Sequence, residues 1–156
     1  MRVRLIAVGT RMPKWVEAGV AEYEPRLPRE WRFELVEIPV AKRGENPDVE
    51  RLKRAEGEKM LRAIPPGAEV IALDERGEAL ATAEWARAVQ DWQRDGRDVA
   101  LLVGGPDGLS PECLSRARRR WSLSKLTLPH ALVRVMVLEQ LYRAWSLTAN
   151  HPYHRA

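Results

Sequence analysis

Five short runs rich in Val, Ile and Leu, each separated from the next by a helical pattern, constrain this chain more than any other feature of it. They cover residues 2–9, 32–38, 68–73, 98–103 and 122–128, and Gly, Pro or charged turns bound them. Helix starts fall between them at Pro13, at Asn46-Pro47-Asp48, at Thr82 with Glu84 and at Ser110-Pro111-Glu112, and a fifth helix follows Pro129. Each start offers an N-cap side chain, a first-turn proline or an early acid. Strands alternating with helices, and apolar along nearly their whole length, predict an α/β fold: a mainly parallel sheet with helices on both faces. In such a sheet ligands bind beyond the carboxyl ends of the strands. That rule points to the loops after Leu73, after Val103 and around residues 123–128.

The 156 residues fit one domain, which at this size buries about 70% of its unfolded surface. The apolar run at residues 5–9 is too short for a signal sequence or a membrane span, so a cytoplasmic protein away from membranes is expected. A single cysteine, Cys113, excludes an internal disulfide and a cysteine-rich metal site, and its helical setting suggests a small core residue. His130, His151 and His154 lack the helical spacing of a ligand pair, so no metal is expected.

Charge is unevenly spread. Residues 113–156 hold Arg116, Arg118, Arg119, Arg120, Lys125, Arg134, Arg143 and Arg155 against the single acid Glu139, a net +7 in a chain of net +4. A surface that meets a polyanion is therefore expected in the C-terminal third. The last helix, from His130 to about Leu147, is apolar almost all round, so it needs cover on a second side from the chain's own core or from a twin subunit. A homodimer is the expectation.

The stretch LLVGGPDGLSPE, residues 101–112, reads as a buried strand, a loop with Gly104, Gly105 and Gly108, and a helix start. Glycines there let a ligand approach the backbone, but neither the Walker spacing nor the dinucleotide fingerprint is present. No nucleophile elbow occurs. The tail ANHPYHRA gathers imidazole, phenol and guanidinium groups after Pro152, which bars a continuing helix; such groups stack on bases and contact phosphates, though termini commonly fray.

Six segments carry a resemblance: AVGTRMP (7–13), FELVEIP (33–39), KRGEN (42–46), VGGPDGLSP (103–111), WSLSKLTLPHALVRV (121–135) and LYRAWSLTANHPYHR (141–155). In them the chain resembles the large-subunit ribosomal RNA methyltransferase H family, of the SPOUT class. The resemblance implies a single small SPOUT domain over residues 1–156 whose C-terminal part forms a trefoil knot. It also implies S-adenosylmethionine as methyl donor without a metal, and N3 of a pseudouridine in 23S rRNA of the assembled ribosome as acceptor. By the same resemblance the donor site maps to Leu73, Gly104, Gly105, Leu123, Ser124, Lys125, Leu126, Thr127 and Leu128.

Methylation at an imide nitrogen needs a proton acceptor and stabilisation of an anionic ring. The tail offers both: His154, or a water it orients, to take the proton; Tyr153 to stack on or bond the base; Arg143 or Arg155 to pair the ring or a phosphate. Two other functions fit the same residues: a SPOUT methyltransferase acting on tRNA, and a ribosome-binding factor without catalysis that uses only the basic third.

Overall fold

A computed structural model describes residues 1–154. Five parallel strands form one sheet in the order β2-β1-β4-β3-β5, with β1 at Val3–Val8, β2 at Glu34–Ile38, β3 at Glu69–Ala79, β4 at Val99–Val103 and β5 at Arg119–Ser122. The helices are α1 at Lys14–Tyr23, α2 at Val49–Ala63, α3 at Thr82–Asp95, α4 at Pro111–Arg116 and α5 at His130–Thr148.

Strand alternation sorts the core into two layers. Val3, Leu5, Ala7, Ile71, Leu73, Leu101 and Val103 pack with α3 and α5, while Ile6, Val8, Val70, Ala72, Ala100 and Leu102 pack with Met60 of α2 and Cys113 of α4. Cys113 is a buried core residue, as its setting suggested. Asp48 and Ser110 cap α2 and α4 through their side chains.

α5 contacts α1, α3 and the central strand β4. Much of its all-round apolarity is thus covered by the chain's own helices. Leu132, Val135 and Met136 stay half-buried, and Leu147 is exposed.

The strand boundaries depart from expectation at one edge of the sheet. The fifth strand lies at Arg119–Ser122, not at residues 122–128, because three exposed arginines masked a strand whose apolar anchor is Trp121, packed on Trp85 at 4.9 Å and on Trp92 at 6.1 Å. Residues 123–128 form a loop whose turn is pinned by hydroxyls: Ser122 Oγ donates to the Ser124 carbonyl at 2.7 Å, and Leu126 N–H donates to Ser124 Oγ at 2.9 Å. β3 runs on to Ala79 through a bulge, so that Trp121 is paired with both Leu73 and Glu78. At the bulge, a Cβ on Gly77 would come within 2.6 Å of the Arg120 backbone, so only glycine admits that approach.

Candidate active site

The carboxyl ends of β4, β3 and β5 leave a cavity of about 440 Å³ between the glycine loop, the β3 bulge and the loop 123–128, within the size range of small-ligand sites. Eight of the nine expected donor residues line it: Leu73, Gly104, Gly105, Leu123, Ser124, Leu126, Thr127 and Leu128. Lys125 is exposed in the same loop and is not among the lining residues.

Close backbone packing shapes this cavity. Gly105 and Gly108 form an antiparallel bridge, with Gly108 N–H donating to the Gly105 carbonyl at 3.0 Å. A Cβ on Gly104 would lie 2.5 Å from the Gly108 carbonyl carbon, so the loop closes on itself only with glycine there. Thr127 Oγ1 donates to Glu75 Oε2 at 3.1 Å and ties the loop 123–128 to the β3 bulge. Arg43 pairs with Asp107 and ties the segment after β2 to the glycine loop.

Several lining groups carried no local signal in the sequence. Asp74, Glu75, Arg76 and Asp107 stand at the mouth, Lys53 arrives from α2, and His130 from the first turn of α5. The β3 bulge brings the first three, and its charged sequence DERGE reads as a turn rather than as a strand. Burial first, then the nearby Arg134 guanidinium, holds the His130 imidazole below its usual pKa, with Glu56 pulling the other way. Beneath the first turn of α5, the buried Arg134 donates to Glu37 Oε2 at 2.8 Å and to the carbonyls of Val8 and Gly9 at 3.4 and 3.2 Å.

Tyr153 and His154 belong to a different place. The chain turns at Asn150 and folds back as one 3-10 turn, Pro152–His154, rather than fraying. Tyr153 packs on Tyr142 at 4.5 Å, lies under the Arg143 guanidinium at 4.9 Å and donates its hydroxyl to Glu139 at 3.2 Å. Burial, then the neighbouring Tyr23 hydroxyl and Glu139, pushes the Tyr153 phenol well above its usual pKa. Arg143 is held by Glu139 at 2.6 Å, and His154 Nδ1 is buried without a partner among the described residues. Arg155 lies outside the described residues.

The tail cluster and the cavity are at opposite ends of α5. His130 opens the helix at the cavity and Arg143 lies thirteen positions later, about 20 Å away at 1.5 Å per residue. Within one chain the structure therefore gathers eight of the nine expected donor residues but leaves Arg143, Tyr153 and His154 apart from them. Of the basic residues in the C-terminal third, Arg134 is an internal group and Arg143 is paired with Glu139.

Among the described residues no group of His, Cys, Asp and Glu could hold a metal ion, and no helix is long and apolar enough to cross a membrane. In fold the chain is similar to a methylase family protein from Neisseria gonorrhoeae, with a TM-score of 0.58 at 16% identity over 90% of this chain and 81% of that one. It is also similar to a methylase family protein from Haemophilus influenzae Rd KW20, with a TM-score of 0.57 at 14% identity over 99% of this chain and 70% of that one. At such identities the likeness speaks for the fold alone. The family described as "Predicted SPOUT methyltransferase" matches residues 1–154. A match of that extent over a parallel sheet with a cavity at its carboxyl ends places the chain in the SPOUT methyltransferase family, whose members use S-adenosylmethionine.

Proposed function

We propose that this protein methylates N3 of a pseudouridine in 23S rRNA of the assembled ribosome, in the cytoplasm, as a homodimer. The observation that carries the reading is the 440 Å³ cavity lined by eight of the nine positions that the family resemblance assigns to the donor. Its character suits S-adenosylmethionine. Leu73, Val103, Leu123 and Leu128 offer apolar walls, the glycine loop offers backbone groups, and lining charges of both signs, Asp74 and Glu75 with Lys53 and Arg76, suit a ligand that carries both an amino and a carboxylate group. The C-terminal trefoil knot belongs to the same reading, as does Lys125 as a donor contact from the exposed side of its loop.

Bound there, S-adenosylmethionine supplies an electrophilic methyl carbon. The chain's own work is to orient the acceptor ring, exclude water and remove the N3 proton as the N–C bond forms and the C–S bond breaks. In this reading His154 accepts that proton, directly or through a water. In the same reading Tyr153 stacks on or bonds the ring, and Arg143, exchanging Glu139 for the ring, or Arg155 balances the negative charge.

About 20 Å of α5 separates these groups from the cavity of their own chain, so the reading requires a second copy to bring its tail to the site. Trp15 of α1, 55% exposed, Leu147 of α5, 38% exposed, and the half-buried Leu132 and Met136 supply apolar surface on adjacent helices for that copy.

Labelled methyl from S-adenosylmethionine, offered in parallel to ribosomes lacking the modification, to naked rRNA and to tRNA, tests the reading. Label in ribosomes alone, mapped to a pseudouridine, is expected. Label in tRNA assigns the chain to a tRNA-modifying SPOUT enzyme, and label in none leaves a binding factor.

A further inference from the structure

The structure sorts the basic residues of the C-terminal third into two kinds. Arg134 is buried on Glu37, Arg143 is paired with Glu139, and Arg119 is paired with Glu69 at 3.3 Å. Arg116, Arg118, Arg120 and Lys125 are exposed and form no ion pair among the described residues.

Strand alternation explains the sorting. β5 is an edge strand that pairs only with β3. Arg119 and Trp121 face the α3 layer, where Trp121 meets Trp85 and Trp92 and Arg119 finds Glu69. Arg118, Arg120 and Ser122 take the other face, over which α4 ends at Arg116. Arg118 is already in the ladder, its N–H donating to the Val70 carbonyl at 2.9 Å. Arg118 and Arg120 thus stand about 6.6 Å apart on one side of an extended strand. Two residues after Arg120, Ser122 lines the cavity; Lys125 follows in the cavity loop, and Arg76 stands at the mouth on the bulge whose Gly77 abuts the Arg120 backbone.

We propose that this row of cations on the α4 side of the sheet edge binds the phosphate backbone of the RNA that carries the acceptor base and leads it to the cavity. The RNA identity of the partner rests on the methyltransferase reading above. A charged edge also discourages strand pairing between copies, but that role needs no direction. Here the row runs along one face toward the carboxyl end of the sheet, where the cavity opens, and only the arginine on the opposite face has acquired a carboxylate. A membrane surface fits less well, because Leu126 is the sole large exposed apolar side chain on this stretch among the described residues.

The test compares three proteins: the wild type, the R116Q/R118Q/R120Q variant, and a K59Q/R62Q/R97Q variant that loses equal charge from exposed positions at the amino-end side of the sheet. Affinity for an unstructured RNA oligonucleotide is measured by fluorescence anisotropy over a salt series, with thermal unfolding and S-adenosylmethionine binding as checks on the fold. The row predicts that the first variant loses about 2 from the slope of log affinity against log salt, roughly 0.7 for each lost contact to single-stranded RNA. The second variant keeps the wild-type slope. Equal losses in both variants, no loss in the first, or no measurable RNA binding by the wild type would each overturn the row. Wild type that binds RNA through the row but labels no acceptor would leave the row standing and remove the methyl-transfer reading instead.

Discussion

Arg134 on α5 and Glu37 on β2 meet at 2.8 Å across 97 positions of chain, and the same guanidinium closes on the carbonyls of Val8 and Gly9 at the end of β1. Arg134 is 1% exposed, whereas the Glu37 side chain is 38% exposed. The two ends of this bridge therefore have unequal stakes. Removing Arg134 leaves two carbonyls unpaired beneath the first turn of α5, which carries His130 and Val133 into the cavity; Arg134→Met should cost about 3 kcal/mol and weaken S-adenosylmethionine binding. Glu37→Gln keeps an oxygen acceptor that water can reach but strips the buried guanidinium of its counter-charge, and should cost less than Arg134→Met, about 1–2 kcal/mol. Urea unfolding of both variants checks the asymmetry, and equal costs would mean that the carbonyl contacts contribute little.

Gly104 supplies a sharper probe of the cavity. A Cβ there would meet the Gly108 carbonyl carbon at 2.5 Å, so Gly104→Ala must push the glycine loop open. The expected loss of stability is about 1–3 kcal/mol, and donor affinity, read by calorimetry, should fall at least about tenfold, which corresponds to 1.4 kcal/mol. Unaltered affinity would place the donor elsewhere.

His130 carries a pH signature. Burial and the Arg134 guanidinium lower its folded-state pKa beneath the ordinary value of 6.5. A histidine whose folded pKa is depressed binds its proton more weakly in the native state, so its contribution to stability is present above the unfolded pKa and is lost as pH falls through the folded one. Unfolding followed from pH 7 downward should show this loss in the wild type, and His130→Gln should flatten that part of the profile. Imidazole NMR should show His130 less than half protonated at a pH where an ordinary histidine is half protonated.

Much of the scaffold was legible because its signals are local. The apolar runs set four of the strands, and Asp48, Ser110 and Pro129 mark where helices begin in the structure. The edge strand was not legible, since Arg118, Arg119 and Arg120 look like a solvated helix face until Trp121 is seen to anchor them against Trp85 and Trp92. The sheet rule located three loops that line the cavity, yet it gave no hint of Lys53, Arg76 or His130, which reach it through tertiary packing. Sequence charge also overstated the free basic surface, because it could not show that Arg134 and Arg143 have carboxylate partners.

The separation along α5 makes the account decisive to test. A chain with Gly104→Ala keeps its tail, and a chain with His154→Ala keeps its cavity; each is expected to be inactive as a homodimer. Methyl transfer to ribosomes lacking the modification is then measured for mixed dimers prepared from the two chains, each with its own affinity tag. A site built from the cavity of one copy and the tail of another predicts recovery of about half the wild-type activity per mixed dimer, since one of the two sites is intact. No recovery on mixing would contradict the account and return the tail to its own chain.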